Sequence, residues 1–308
     1  MNNNAVRHAI EHGNLVIAMN SVGDTADFSC LMSDKIIDLH TVGSSQCFPL
    51  YWYEEIQAPL DLSHYTDCDQ KTTNMDAWEA HLPTKSFKRH DAITDFILGE
   101  ARNIYGAAVS KLDMFFYVYG FLHSPQYRIK FADDLKKSLP RIPLVERTDD
   151  FWAFSKAGSE LADLHICYED AEWHPDVVVR GLEAFDFKVV KMKFGKTGKD
   201  ADTSKIIYND SITIENIPSL AYEYVVNGRS AIHWVMERYQ IKTDKPSGIT
   251  NDPNLWAQEH GKPRYILDLL LSVINVSVRT VEIVRNLPYS IQSGGLKAAT
   301  CNSFRSYV

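Results

Sequence analysis

The sequence predicts an α+β protein: a mostly helical block flanked by short β-strands, with a small mixed sheet in the C-terminal half. Three observations carry this. Apolar residues recur at helical spacing from about Lys88 to Glu169. Short apolar or partly alternating runs lie on both sides of that block. Helical spacing resumes near Pro218 and ends in the long apolar stretch Pro263–Leu287.

The elements follow in order. LVIAM (Leu15–Met19) and CFPLYWY (Cys47–Tyr53) read as strands. Glu54 to Glu79 carries Asp61, Asp67, Asp69 and Asp76 with little apolar periodicity, the pattern of a surface loop or insertion. In the helical block Ile93, Phe96, Ile97, Ala101, Ile104 and Tyr105 are expected on one inward face. Leu112, Phe115, Phe116, Tyr119 and Leu122 form a second. Ser124-Pro125 supplies an N-cap and a first-turn proline for a helix through Leu139, closed by Pro140 and Pro143. Thr148-Asp-Asp opens another, with Phe151, Phe154, Leu161 and Leu164 inward. FDFKVVKMKF (Phe185–Phe194), SKIIYND and SITIENI read as strands, the last two around a turn at Asn209-Asp210. Helices are expected at Pro218–Val226, Ser230–Gln240, Asp252–His260 and Pro263–Leu287. The composition shift divides the chain into 1–170, 171–290 and a loosely ordered tail at 291–308. The second part is either a small domain or a continuation of the first.

Bulk properties narrow the function classes. The 308 residues suffice for one large domain or two modest ones. Hydrophobic residues at 45% and charged residues at 23% fit an ordinary globular protein. A net charge of −8 argues against a general nucleic-acid coat, yet a local basic face is compatible with it. The five cysteines are odd in number and lack CxxC spacing, so they read as reduced thiols in a cytoplasmic protein. The N-terminal MNNNAVRHAIEHGN lacks a signal-peptide core. Asp268, Asn275, Arg279 and Glu282 interrupt the longest apolar run, which is therefore a buried or partner-facing helix and not a membrane span.

No motif assembles a catalytic centre. Asp176, Asp186 and Lys188 loosely match PD-(D/E)xK, which holds a divalent metal between carboxylates beside a lysine; a solvated strand edge gives the same pattern. Asn286-Leu287-Pro288-Tyr289 imitates an adenine-methyltransferase motif, but Leu287 replaces a proline, no glycine-rich loop precedes it, and a helix end explains it. Gly195 to Lys199 imitates part of a phosphate loop, but Asp200 follows the lysine; a mobile turn is expected there. The histidines, among them His165 and His174, lack metal-ligand spacing. The six tryptophans are spread across the elements as anchors.

Basic clustering is the feature that bears on nucleic acid. Lys188, Lys191, Lys193, Lys196 and Lys199 fall close together, and Lys205 follows. A strand and turn of that kind suits a phosphate backbone, and equally a solvated sheet face. Asn209, Asn227, Arg229 and Arg238 carry side chains able to read base edges: Arg pairs with guanine and Asn with adenine in the major groove. The DNA-contact candidates are thus Lys191, Lys193, Lys196, Lys199, Lys205, Asn209 and Arg229, with no catalytic and no metal-binding residue among them.

Several blocks also occur together and in order: LMSDKIIDLHTVGSSQCFPLYWYE, YGFLHSPQYRIKFADDLKKSLPRIPL, FWAFSKAGSELADLH, KMKFGKTGK, IIYNDSITI and the stretch from IPSLAYEYVVNGRS to TNDPN. In these the chain resembles the C-terminal specificity region of type ISP restriction-modification enzymes, single polypeptides with nuclease, motor, adenine-methyltransferase and target-recognition parts. The resemblance implies an α+β module that chooses the DNA sequence for methylation and cleavage and docks against the methyltransferase. It implies double-stranded DNA and the upstream methyltransferase and motor domains as partners, and no membrane. It implies no cofactor in this chain, while the parent polypeptide would use S-adenosylmethionine, ATP and Mg2+. On this reading the chain looks like a separately expressed C-terminal piece. Base-reading residues do not transfer, because they differ between enzymes with different targets. Two other readings stand beside it: a metal-dependent nuclease using Asp176, Asp186 and Lys188, and a docking scaffold for the methyltransferase and motor without DNA binding of its own.

Overall fold

The computed structural model describes residues 13–24, 26–56 and 86–289. The acidic segment beyond Ile56, the tail after Tyr289, and Trp78, His64, His81, Cys68 and Cys301 lie outside the described residues.

The N-terminal strands β1 (Val16–Asn20), β2 (Cys30–Ser33) and β3 (Ser45–Pro49) form an antiparallel sheet in the order β2-β1-β3. Strand β4 (Tyr51–Ile56) pairs with β5 (Ser86–Asp91) in a separate ribbon. Two sequence expectations are corrected here. Glu54 to Ile56 is strand and not the start of a loop, and Ser86 to Asp91 is strand although helix was expected from Lys88. Cross-strand pairing between the two segments overrides the local sequence signal in both.

The helical block holds α1 (Asp95–Tyr105), α2 (Lys111–Leu122), α3 (Pro125–Lys130), α4 (Ala132–Leu135) and α5 (Thr148–Ile166). Three of these starts have a side-chain cause. The Thr94 hydroxyl accepts from Ile97 N. Ser110 and Asp113 cap each other's backbone reciprocally. Ser124 accepts from Tyr127 N, with Pro125 at the first helical position. The helix expected to run through Leu139 breaks at Phe131, whose backbone leaves the helical region at φ −112° and ψ 21°. On α1 the buried face is Leu98, Ala101 and Tyr105, whereas Phe96 is 70% exposed and Ile104 also faces outward. Leu112 of α2 likewise points outward. Phe151, Phe154, Leu161 and Leu164 of α5 are buried as expected.

Helices α2 and α5 meet through two glycines. A Cβ on Gly120 would strike Phe154 O, and one on Gly158 would strike Phe116 O and lie 2.8 Å from Gly120 N. Backbone touches backbone there, so any side chain forces the helices apart.

The C-terminal half contains β6 (Val178–Arg180), β7 (Lys193–Thr197), β8 (Asp200–Ile207) and β9 (Thr213–Glu215) in the order β6-β9-β8-β7. Every pairing is antiparallel, so the mixed sheet of the sequence expectation is corrected while the α+β class stands. The short hairpin joining β7 to β8 dictates this for that pair, since parallel neighbours need a crossover of about a dozen residues or more. Two small hairpins follow, β10 (Val225–Val226) with β11 (Arg229–Ser230), and β12 (Lys242–Thr243) with β13 (Thr250–Asn251). Helices α6 (Ala231–Arg238), α7 (Pro253–Glu259) and α8 (Tyr265–Arg285) complete the fold. Pro218–Val226, expected as helix, is a 3-10 turn over Ser219–Tyr222 followed by β10. The Asn286 to Tyr289 stretch is the end of α8, with Asn286 as its C-cap.

Buried apolar side chains form two clusters. One joins the N-terminal sheet to α1, α2 and α5; the other joins the four-stranded sheet to α6 and α8. A polar chain threads between α2, α5 and α8. Tyr119 OH and His165 Nδ1 share a hydrogen bond of 2.5 Å, and His165 Nε2 and Thr280 Oγ1 share one of 3.1 Å. His123 Nδ1 donates to Tyr119 O at 2.9 Å. Burial, aided by the nearby Arg128 guanidinium, pushes the His165 imidazole down to about 3 and His123 well below its ordinary value, so both are neutral.

Candidate nucleic-acid interface

The residues after α5 and β6 build a rigid platform beside the four-stranded sheet. Gly181 takes φ 85°, and a Cβ there would strike Ser211 O. Phe185 is left-handed at φ 52° with its ring 81% exposed. The next carbonyls are all taken: Asp186 O and Lys188 O by Asn209 Nδ2, Phe187 O by Tyr208 OH, and Val189 O by Asn254 Nδ2. With its carbonyls held by side chains, this segment has no strand partner, and β7 begins only at Lys193. That corrects the strand expected from Phe185 to Phe194. It also separates Asp186 from a strand face, since its Oδ1 accepts from Lys188 N at 3.2 Å.

The lysine-rich stretch divides into three environments. Lys193 lies opposite Ile207, and Lys196 opposite Ala201 on the hairpin arm. Gly198 (φ 66°) and Lys199 make the tight turn, so the phosphate-loop imitation is the tip of a β-hairpin. Asp200 and Asp202 lie on the other arm, opposite Thr197 and Gly195. Lys205 lies on a bulge where the register jumps from Phe194–Ile206 to Gly195–Asp202. Its stem covers Gly195, where an added Cβ would lie 3.0 Å from Lys205 Cβ, and its ammonium reaches Glu215 at 2.8 Å. Arg180 holds the other Glu215 oxygen at 2.6 Å, and the two cations together keep that carboxyl below its usual range.

The residues just before β7, the β10–β11 hairpin and α6 surround an open cleft of about 450 Å³. Lys191, Tyr222, Arg229, His233 and Glu237 line it. The hairpin turns on Asn227-Gly228, both left-handed, at φ 50° and 78°. The Asn227 N–H donates to Ser29 Oγ, which fastens the turn to the N-terminal part. Ser230 then caps α6 through His233 N. Trp234 Nε1 donates to Val226 O at 2.8 Å, which fixes the indole against the hairpin. Arg229 and Arg238 each lie 5.5 Å from the Trp234 ring centre, and Arg229 is ion-paired with Glu237.

Among the described residues, no three His, Cys, Asp or Glu side chains gather as a metal site. Cys30, Cys47 and Cys167 are free thiols, and no described helix is long and apolar enough to cross a membrane.

Residues 1–269 match the type ISP C-terminal specificity domain. The chain belongs to that family. No curated protein matches it. Among solved structures, the specificity domain is similar to a nuclease-deletion mutant of the type ISP restriction-modification enzyme LlaGI in complex with a DNA substrate mimic. Identity is 41% and the TM-score 0.67, over 91% of this chain and 22% of that one. It is similar to the ATP-dependent type ISP enzyme LlaBIII bound to DNA, at 38% identity and TM-score 0.71, over 91% of this chain and 16% of that one. A third match is a DrdV–DNA complex, at 27% identity and TM-score 0.69, over 91% of this chain and 25% of that one. The specificity domain therefore spans a quarter or less of the length of these proteins.

The structure brings Lys191 and Arg229 together on one cleft and leaves Lys193, Lys196 and Lys199 exposed. It uses Lys205 inside the sheet, bound to Glu215. Asn209 is occupied as a turn clamp: Oδ1 accepts from Ser211 N and Ile212 N while Nδ2 holds two carbonyls. Asn227 is the turn residue of its hairpin. Sequence reading missed Glu237 as the partner of Arg229 and Trp234 as the surface carrying both arginines. Trp234 and Arg238 stand four apart on α6, a spacing that places them on one helix face and was legible in advance.

Proposed function

We propose that this specificity domain reads duplex DNA by sequence within a type ISP restriction-modification enzyme, and thereby directs methylation and cleavage carried out by other parts of that polypeptide. The observation that carries the reading is the cleft where Lys191 and Arg229 converge, flanked by exposed Lys193 and Arg238, in a chain 38–41% identical to type ISP enzymes solved on DNA. Exposed cations beside such a cleft supply phosphate contacts, and guanidinium groups at its rim supply base contacts. The domain then does no chemistry and holds no cofactor; S-adenosylmethionine, ATP and Mg2+ would serve the methyltransferase, motor and nuclease parts. Its surroundings are cytoplasmic, in keeping with the free thiols. Exposed Phe96 and Ile104 on α1 offer an apolar contact to those neighbouring parts.

The test is selection from a randomised duplex pool, with the chain alone and with the chain grafted in place of the LlaGI specificity domain. One short motif should be enriched in binding, and the graft should methylate that motif. Absence of sequence preference in both forms overturns the reading.

A further inference from the structure

We infer that Arg229 and Glu237 form a single reader of one G·C base pair, with Arg229 donating to guanine O6 and N7 and Glu237 accepting from the cytosine N4 amino group. The inference rests on the DNA-reading function proposed above and names what one part of that site recognises.

The pair is held in a fixed aspect from both sides. Arg229 follows the Asn227-Gly228 turn, whose left-handed geometry sets the direction in which β11 leaves. The guanidinium lies over Trp234, and the indole N–H is tied to Val226 O, so the ring cannot turn away. Glu237 lies on α6, one turn beyond His233, and α6 is capped by Ser230 at the end of the same hairpin. Both heads border the cleft, and both are reachable: the side chains are 53% and 42% exposed.

Charge separates this pair from its neighbours. An arginine already neutralised by a carboxylate releases few counterions when it meets a phosphate, and the carboxylate repels that phosphate. The pair is therefore poorly suited to gripping the backbone. Lys191 of the cleft and Arg238 at the Trp234 ring have no acidic partner in ion-pair distance among the described residues, and they suit that role.

A fork of donors beside an acceptor needs a fork of acceptors beside a donor. In the major groove a G·C pair offers that pattern: N7 and O6 on guanine, then the N4 amino group on cytosine. An A·T pair presents an amino donor where Arg229 needs an acceptor, and O4 where Glu237 needs a donor. The carboxylate thus lowers affinity for DNA in general and contributes at one base pair, which converts attraction into discrimination.

Site selection with the full chain, Arg229→Ala, Glu237→Ala and the double variant tests this, with the melting temperature as a fold check. The wild-type motif should contain a position restricted to G·C. Arg229→Ala should relax that position by roughly tenfold or more and leave the others unchanged. Glu237→Ala should relax the same position and steepen the salt dependence of non-specific binding by about one unit, because it frees Arg229 for phosphates. If Arg229→Ala weakens all sequences equally, or no G·C position relaxes in either variant, the inference fails while DNA reading stands. If the wild-type chain selects no motif either alone or grafted into LlaGI, the DNA-reading function fails first and this inference with it.

Discussion

Asn254 holds Val189 by both atoms of its amide: Nδ2 donates to Val189 O at 2.8 Å, and Oδ1 accepts from Val189 N at 2.9 Å. The two residues are 65 positions apart, and both are buried. The contact replaces a strand partner for the segment that leads into β7 and the cleft.

Asn254→Ala leaves a buried N–H and a buried C=O unpaired. It should destabilise the protein by roughly 2–4 kcal/mol. Chemical denaturation checks this; Asn254→Asp should recover little, because it cannot donate to the carbonyl. A wild-type midpoint in Asn254→Ala would show that the amide does not hold the segment.

Gly158→Ala should cost roughly 3 kcal/mol, because the new methyl meets Phe116 O and Gly120 N, neither of which can yield without moving a helix. Ala157→Gly next to it is the control for helix propensity, expected at about 1 kcal/mol plus a small packing term. Equal costs for the two would mean that α2 and α5 do not approach through backbone.

Stability should fall on acidification well before the carboxylates titrate. An unfolded imidazole titrates at its ordinary 6.5, and His165 in the fold at about 3. Between those values the unfolded chain binds a proton that the native state refuses. The full contribution is therefore present above about pH 6.5 and declines as pH drops toward 3, by about 1.4 kcal/mol per pH unit for each such histidine. His123 adds to the slope in the same direction. Urea midpoints at pH 7 and pH 5 measure it, and His165→Asn should flatten the profile. A flat wild-type profile would mean that His165 is solvated.

The lysines should separate by their partners. Lys193→Ala, Lys196→Ala and Lys199→Ala made together should weaken binding to all DNA sequences. They should also flatten the plot of log affinity against log salt, by up to about 0.9 for every phosphate left without its lysine. Lys205→Ala should change the slope little, since Glu215, shared with Arg180, holds that ammonium against the sheet. An equal effect from Lys205 would place Glu215 elsewhere when DNA is bound.

Local signals were legible where one short segment carries its own cause. Ser124-Pro125, Asp252-Pro253 and Thr148-Asp-Asp each start a helix as expected, and Asn209 makes its turn. The lysine cluster was visible too, but not its division. Lys196 and Lys205 look alike in sequence, and only the strand order β6-β9-β8 brings Glu215 and Arg180 to Lys205.

The sequence by itself determined the α+β class, the family and the stretch where basic residues gather. Capping, turn chemistry and apolar spacing act over a few residues and need no distant partner. Tertiary structure alone decided that Phe96 faces out, that Asn209 and Asn254 serve as backbone clamps, and that Arg229 meets Glu237 over Trp234. A side chain's role depends on which donor, acceptor or charge reaches it, and that is set by packing between segments far apart in the chain.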